Sequence, residues 1–290
     1  MRQAKDRNAL WLRALGCGEP PDEIECNQNL FRIVRVLKHD FFAATALYER
    51  TGGLGKNGVP SKVILKIGRT NDMFGLPVVS VGQWLARREA ANYQMLQGVE
   101  GVPAFLGLWG RTGLLHEYVE GHPLRRGERV GDEFFPALER LLREVHKRGA
   151  AYVDLEKREN IIVGEDGRPY LIDFQISFAC TGRWTRGWLG RALLRRLQEG
   201  DRYHLMKHWR RHRPDQLTPA QIDLSYRRPL SIDAHRVLFR PWTLLRRQTL
   251  RRITGGQWRP RQEDADMSAE GQGVRAAPET DNRPSGSAAM

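Results

Sequence analysis

Lys66 stands inside an apolar run, Val63-Ile64-Leu65-Lys66-Ile67. A lysine buried on such a strand requires a partner, because an unpaired charge away from water is costly. Glu89, on the helical segment that follows, is a plausible one. Further on, Asp154 and Asn160 bracket a short polar loop, and Asp173 closes the run Tyr170-Leu171-Ile172. Carboxylate and carboxamide oxygens at strand ends and in loops are the hard ligands that Mg²⁺ takes. Asn160 and Asp173 lie 13 residues apart, a spacing that a hairpin can fold back onto one metal. Each residue alone also admits a plainer role. A strand lysine can run its stem along apolar surface and reach solvent, and an aspartate before phenylalanine can cap a turn.

These residues need elements to hold them. Phe31, Ile33, Val34 and Val36 read as a strand, residues 41–48 as a second and the β-branched run 62–67 as a third. Residues 81–97 carry Trp84, Leu85, Ala91, Met95 and Leu96 among good helix formers and predict a helix. Two short apolar runs follow, 102–109 and 113–119. Residues 132–148 set Phe134, Phe135, Leu138, Leu141, Leu142 and Val145 on one helical face, with Gly149 as the terminator. Two short runs, 161–163 and 170–172, flank Glu165-Asp166-Gly167-Arg168 and predict a hairpin. Residues 183–256 read as mainly helical, broken near Pro214, Pro219, Pro229 and Pro241.

In this order the segments resemble the protein-kinase-like superfamily. Val63-Ile64-Leu65-Lys66 is similar to its strand lysine motif, and Arg88-Glu89-Ala90-Ala91-Asn92-Tyr93-Gln94-Met95-Leu96 to the helix that supplies the paired glutamate. Leu115-His116-Glu117-Tyr118-Val119 resembles the hinge between lobes. Tyr152-Val153-Asp154-Leu155 and Asn160-Ile161-Ile162-Val163 resemble the catalytic loop. Leu171-Ile172-Asp173-Phe174-Gln175 resembles the metal-binding Asp-Phe-Gly segment, with Gln in place of Gly. The resemblance covers about residues 30–180 and weakens toward 255.

It implies an α+β fold of two lobes, the N-lobe a small antiparallel sheet with one helix and the C-lobe mainly helical. The division it implies is an N-terminal extension (1–29), an N-lobe (30–118), a C-lobe (119–257) and a disordered tail (258–290). The implied activity is an ATP- and Mg²⁺-dependent transfer of a γ-phosphoryl group to a hydroxyl. The resemblance assigns Lys66 to the α- and β-phosphates and Glu89 to holding Lys66. It assigns Asn160 and Asp173 to Mg²⁺, and Asp154 to orienting the acceptor and taking its proton. Adenine bonds to backbone groups of Glu117 and Val119, with His116 guarding the back pocket.

Several positions depart from the pattern. Asn160 follows Asp154 by six residues instead of five, so one residue is inserted, and Lys157 rather than Arg158 is read as the γ-phosphate lysine. Val153 stands where an arginine usually meets an activation-loop phosphate, so control by that phosphorylation is not expected. The turn Lys38-His39-Asp40-Phe41-Phe42-Ala43 holds no glycine, so backbone cradling of phosphates is weaker or different. Residues 52–58, rich in glycine, lie between the second and third strands and read as a linker turn. No Ala-Pro-Glu segment follows Asp173. These losses resemble the atypical branch that includes RIO-type kinases and the lipopolysaccharide core (heptose/Kdo) kinases.

Charge narrows the partners. The 290 residues carry a net +13, yet residues 181–260 alone hold 19 Lys+Arg against 5 Asp+Glu, and the remainder sums to −1. Such a basic stretch attracts polyanions. Residues 184–197 set Trp184, Trp188, Leu189, Leu193 and Leu197 against Arg191 and Arg195, a pattern suited to a membrane interface or to packing in the C-lobe. Residues 237–247 repeat it. No nucleic-acid module is recognisable in the Arg-rich stretch. His204, His208 and His212 share a helical spacing of four but sit among Lys207, Arg210, Arg211 and Arg213, which repel a cation. Three cysteines make no disulfide framework, the first residues lack a signal-peptide core, and no run approaches the ~18 apolar residues of a membrane span. The chain therefore reads as cytoplasmic, peripheral to the inner membrane face where it meets one. Three functions fit: a kinase of a glycolipid core sugar or other membrane-surface hydroxyl, a serine/threonine protein kinase, and a nucleotide-binding scaffold without activity.

Overall fold

The structure is a computed structural model that describes residues 13–52, 58–70, 79–180 and 187–226. It opens with a hairpin of β1 (Glu23–Cys26) and β2 (Asn29–His39). The two turn residues, Asn27 and Gln28, have φ of 48° and 64°, the left-handed backbone that a two-residue hairpin requires. Next come β3 (Ala43–Arg50), β4 (Lys62–Gly68), helix α1 (Val79–Met95), β5 (Phe105–Trp109) and β6 (Gly113–Glu117). The six strands form one antiparallel sheet in the order β1-β2-β3-β4-β6-β5. β2 skips a residue twice against β3, at Val34 and at Leu37. One face of the sheet buries Phe31, Tyr48, Val63, Leu65 and Leu115. The opposite face carries Lys66 toward α1.

β1 lies inside the segment that reads as an extension. Ile24 and Cys26 seat in the sheet's core, but two alternations are too few to mark a strand in sequence. The helix expected at 81–97 is α1; of the apolar residues read onto it, Leu96 is buried and Met95 packs against the core, but the buried face is otherwise made of other residues. Gly82, Ala86, Glu89, Ala90, Asn92 and Tyr93 face inward, while Trp84 is 57% exposed. Polar residues can line a buried face when each has a partner, and hydrophobic periodicity cannot register them.

The second lobe follows with β7 (Gly121–Pro123), α2 (Phe134–Lys147), β8 (Ala150–Ala151), a 3₁₀ turn (Arg158–Asn160), β9 (Ile161–Gly164), β10 (Pro169–Leu171) and β11 (Phe178–Ala179). It ends in α3 (Trp188–His212), a 3₁₀ turn (Pro214–Gln216) and α4 (Pro219–Tyr226). All six apolar residues read onto one face of α2 are buried. Gly149 ends the helix at φ 78°, donating to His146 O. β9 and β10 pair as the predicted hairpin. The breaks at Pro214 and Pro219 fall where the sequence puts them.

The larger core joins α1, α2 and α3 through Tyr93, Leu96, Phe135, Leu138, Tyr152, Phe174 and Leu205. The two-lobed α+β architecture implied by the sequence is present. Among the described residues no helix is long and apolar enough to cross a membrane. Trp184, most of the glycine-rich turn at 52–58, the stretch 237–247 and the tail lie outside the described residues.

Candidate active site

Lys66 sits on β4, opposite Thr45 of β3 and Leu114 of β6. Its Nζ donates to both carboxylate oxygens of Glu89 at 2.9 Å and to Asp173 Oδ1 at 2.7 Å. Burial disfavours the Lys66 ammonium, but the two carboxylates outweigh it and hold its pKa above the usual lysine range. Burial likewise raises the Glu89 carboxyl, and the Lys66 charge takes back only part of that rise. The lysine–glutamate pairing expected from sequence is therefore a three-centre cluster that ties the sheet to the segment after β10.

Asp173 has φ 61°, an uncommon conformation for a residue other than glycine and a local strain that packing must sustain. Phe174 supplies that packing. Its ring meets Tyr93 and Tyr152 edge-on at 5.0 and 5.1 Å, and Asn92 Nδ2 donates to its carbonyl at 2.9 Å. Burial works to raise the Asp173 carboxyl, yet Lys66, Lys157 and Lys38 hold it below the ordinary range. Three lysines from three segments thus act on one carboxylate.

Across from this cluster, Asp154 Oδ2 accepts from Lys157 Nζ at 2.7 Å and from Asn160 Nδ2 at 2.8 Å. Asn160 closes a single 3₁₀ turn, Arg158–Asn160. Asp154 is buried, which raises its carboxyl; Lys157 and Asn160 pull it back in part, and the nearby Asp173 charge adds to the rise. A carboxylate with a raised pKa is a better proton acceptor than an ordinary one.

The structure thus brings Lys66, Glu89, Asp154, Lys157, Asn160 and Asp173 into one neighbourhood. Glu117 ends β6, and Val119 lies between β6 and β7. The Glu117 N–H donates to Ala104 O at 2.9 Å, and its carbonyl accepts from His116 Nδ1 at 2.8 Å. Any adenine contact at that carbonyl shares it with His116. The His116 ring stacks on Tyr93 at 5.3 Å, and burial drops its pKa to about 4, so the ring is neutral.

Two positioning residues escaped the sequence reading. Asp201 of α3 accepts the Tyr152 and Val153 amide protons, each at 2.7 Å, and faces His146 Nε2 at 3.0 Å. Asn92 reaches Phe174 O from α1. Both are polar residues inside helices, and only their distant partners reveal them. The glycine-less turn after β2 is closed by side chains. Asp40 Oδ1 takes the Phe42 and Ala43 amide protons at 2.9 and 3.1 Å, and Arg69 donates to Phe41 O at 3.0 Å while its guanidinium lies over the Phe41 ring. Two of the α3 histidines are structural. His208 Nε2 bonds Leu155 O, and His212 Nδ1 bonds Glu128 O, each at 2.8 Å.

The donor set fits Mg²⁺. With the Asn160 amide nitrogen committed to Asp154, the atom that remains for a metal is Oδ1. Asp173 offers its second carboxylate oxygen beside the one on Lys66. One or two such oxygens, completed by phosphate and water, are the usual protein share of a Mg²⁺ site.

No protein-family model matches the chain, and no curated protein matches it. Among solved structures, it is similar to the Rio2 kinase from Chaetomium thermophilum at 17% identity and a TM-score of 0.44. The match covers 63% of this chain and 59% of that one, so the chain spans less than two thirds of that kinase.

Proposed function

We propose that the chain is an ATP- and Mg²⁺-dependent phosphotransferase acting on a hydroxyl at an anionic membrane surface, such as that of a phosphorylated core sugar on a lipopolysaccharide-type glycolipid. The observation that carries the reading is the Lys66 ammonium shared between Glu89 and Asp173, with Asp154, Lys157 and Asn160 gathered opposite. ATP supplies the γ-phosphoryl group and Mg²⁺ neutralises phosphate charge when bound. Lys66 holds the inner phosphates, and Glu89 keeps it in place. Asn160 and Asp173 hold the metal. Asp154 accepts the acceptor hydroxyl proton as the new O–P bond forms and the old one breaks, its electron pair leaving with the ADP oxygen. Lys157, held against Asp154, offers its charge to the transferring group.

The membrane part of the reading is supported by α3. Trp188 is 72% exposed, and Leu189 and Leu193 are exposed with it. Arg191, Arg195, Arg196 and Arg202 are exposed as well. Apolar and aromatic side chains interleaved with arginines suit a surface of acidic headgroups. The test is transfer of labelled γ-phosphate in a membrane-containing extract, with Asp154→Asn and Lys66→Ala as controls. Label on a glycolipid, absent with both controls, supports the proposal. Label on protein alone replaces the acceptor with a protein hydroxyl. Wild-type transfer no higher than the controls sinks the enzyme reading.

A further inference from the structure

The turn after β2 has lost the device by which such a turn grips phosphate. Its sequence lacks glycine, and Asp40 already takes the Phe42 and Ala43 amide protons. Those donors are not available to cradle an anion. The strand that leads into the turn carries a lysine, and its register places that lysine unexpectedly.

Val36 pairs with Ala46, which faces the sheet's core. In regular register the next residue, Leu37, would oppose Thr45. The structure instead pairs Lys38 with Thr45, leaving Leu37 as the extra residue of a bulge. Thr45 in turn pairs with Lys66. Residues directly opposite in adjacent strands project to the same face, and a one-residue shift exchanges faces. The bulge therefore moves Lys38 onto the face that carries Lys66. A bulge next to a site commonly re-aims a side chain in this way. Two strand spacings, roughly 10 Å, separate the Lys38 and Lys66 backbones, a gap that two lysine side chains can close on one polyphosphate.

The Lys38 side chain is 47% exposed, and its Nζ rests on Asp40 Oδ2 at 2.7 Å. The same carboxylate that closes the turn thus holds the ammonium. Its charge also acts on Asp173.

From this geometry we infer that Lys38 is a phosphate ligand of the nucleotide site, substituting a side-chain ammonium for the backbone amides of a glycine-rich turn. The inference rests on the nucleotide-binding part of the function proposed above. An ammonium is a compact point charge that binds phosphate without a fixed geometry, so it needs no free backbone amides in the turn.

The test is titration calorimetry of the full chain with Mg²⁺-ATP and with adenosine, on wild type, Lys38→Met, Lys38→Arg and Lys66→Met. Thermal melting checks that each variant is folded. The expected result is a loss of about tenfold or more in ATP affinity for Lys38→Met. Adenosine affinity should be unchanged in that variant, and Lys38→Arg should retain most of the ATP affinity. A folded Lys38→Met that binds ATP as wild type does, while Lys66→Met loses it, overturns the role of Lys38 and leaves the nucleotide reading intact. An equal loss of ATP and adenosine binding in Lys38→Met overturns it as well, because a phosphate ligand cannot act on a nucleoside. Wild type that binds no Mg²⁺-ATP overturns both.

Discussion

Asp201 Oδ1 accepts the amide proton of Val153 at 2.7 Å and so holds a β-branched residue at φ 72°. That conformation carries a strain of about 1–3 kcal/mol and persists only where the surroundings over-determine it. Asp154 follows immediately, so α3 sets the position of the proposed base from behind. Asp201→Ala leaves the buried Tyr152 amide and the half-buried Val153 amide without acceptors. It should destabilise the chain by about 2–4 kcal/mol in urea denaturation and reduce phosphoryl transfer in the fraction that still folds. Unchanged stability would mean that the loop holds itself.

Lys66→Met strands Glu89, which is buried and bonded through both oxygens. Losing one partner of a buried ion pair costs about 3–5 kcal/mol. The deficit should depend on pH. Burial already raises the Glu89 carboxyl, and without Lys66 it rises further, so the folded variant takes up a proton more readily than the unfolded chain does. Its deficit relative to wild type should shrink as pH falls toward the carboxylate range. Denaturation at pH 8 and pH 5 measures it; equal deficits at both would remove the argument.

His116 and His208 are buried and held neutral, with pKa values dropped to about 4 and about 3. The unfolded chain protonates both near 6.5. Below that pH the unfolded state binds protons that the folded state does not, so stability falls with pH at about 1.4 kcal/mol per pH unit for each histidine. The loss should begin below about 6.5 and run to about pH 4 for His116 and further for His208. A plot of unfolding free energy against pH gives the slope, and His208→Gln should flatten it by one histidine's share.

Trp188, Leu189 and Leu193 are exposed, so polar substitutions there should change stability by within about 0.5 kcal/mol. Sedimentation with anionic vesicles should respond strongly. Wild type should pellet at low salt and be released as salt screens the arginines, while Trp188→Ser with Leu193→Ser should stay in the supernatant. Wild type that remains in the supernatant at low salt ends the membrane reading.

Much of this was legible in one dimension. Alternating and helical apolar patterns located β2 to β6, α2 and the β9–β10 hairpin, because core burial imposes those periods on the sequence. Lys66, Asp154, Asn160 and Asp173 were visible as polar residues in the wrong surroundings. Chain order alone could separate the acidic loop from the strand lysine, but it could not close them onto one another.

What tertiary structure decided has a common cause: each case depends on a partner distant in sequence. Asn92 acquires meaning from Phe174 and Asp201 from the backbone of Val153. None of these polar groups disturbs a hydrophobic period, so none announces itself. β1 was hidden by its brevity, and the face of α1 by its polar lining. The bulge at Leu37 is the sharpest instance. The residues Leu37-Lys38 are read identically in either register, and only pairing with β3 decides that the lysine, not the leucine, faces Lys66.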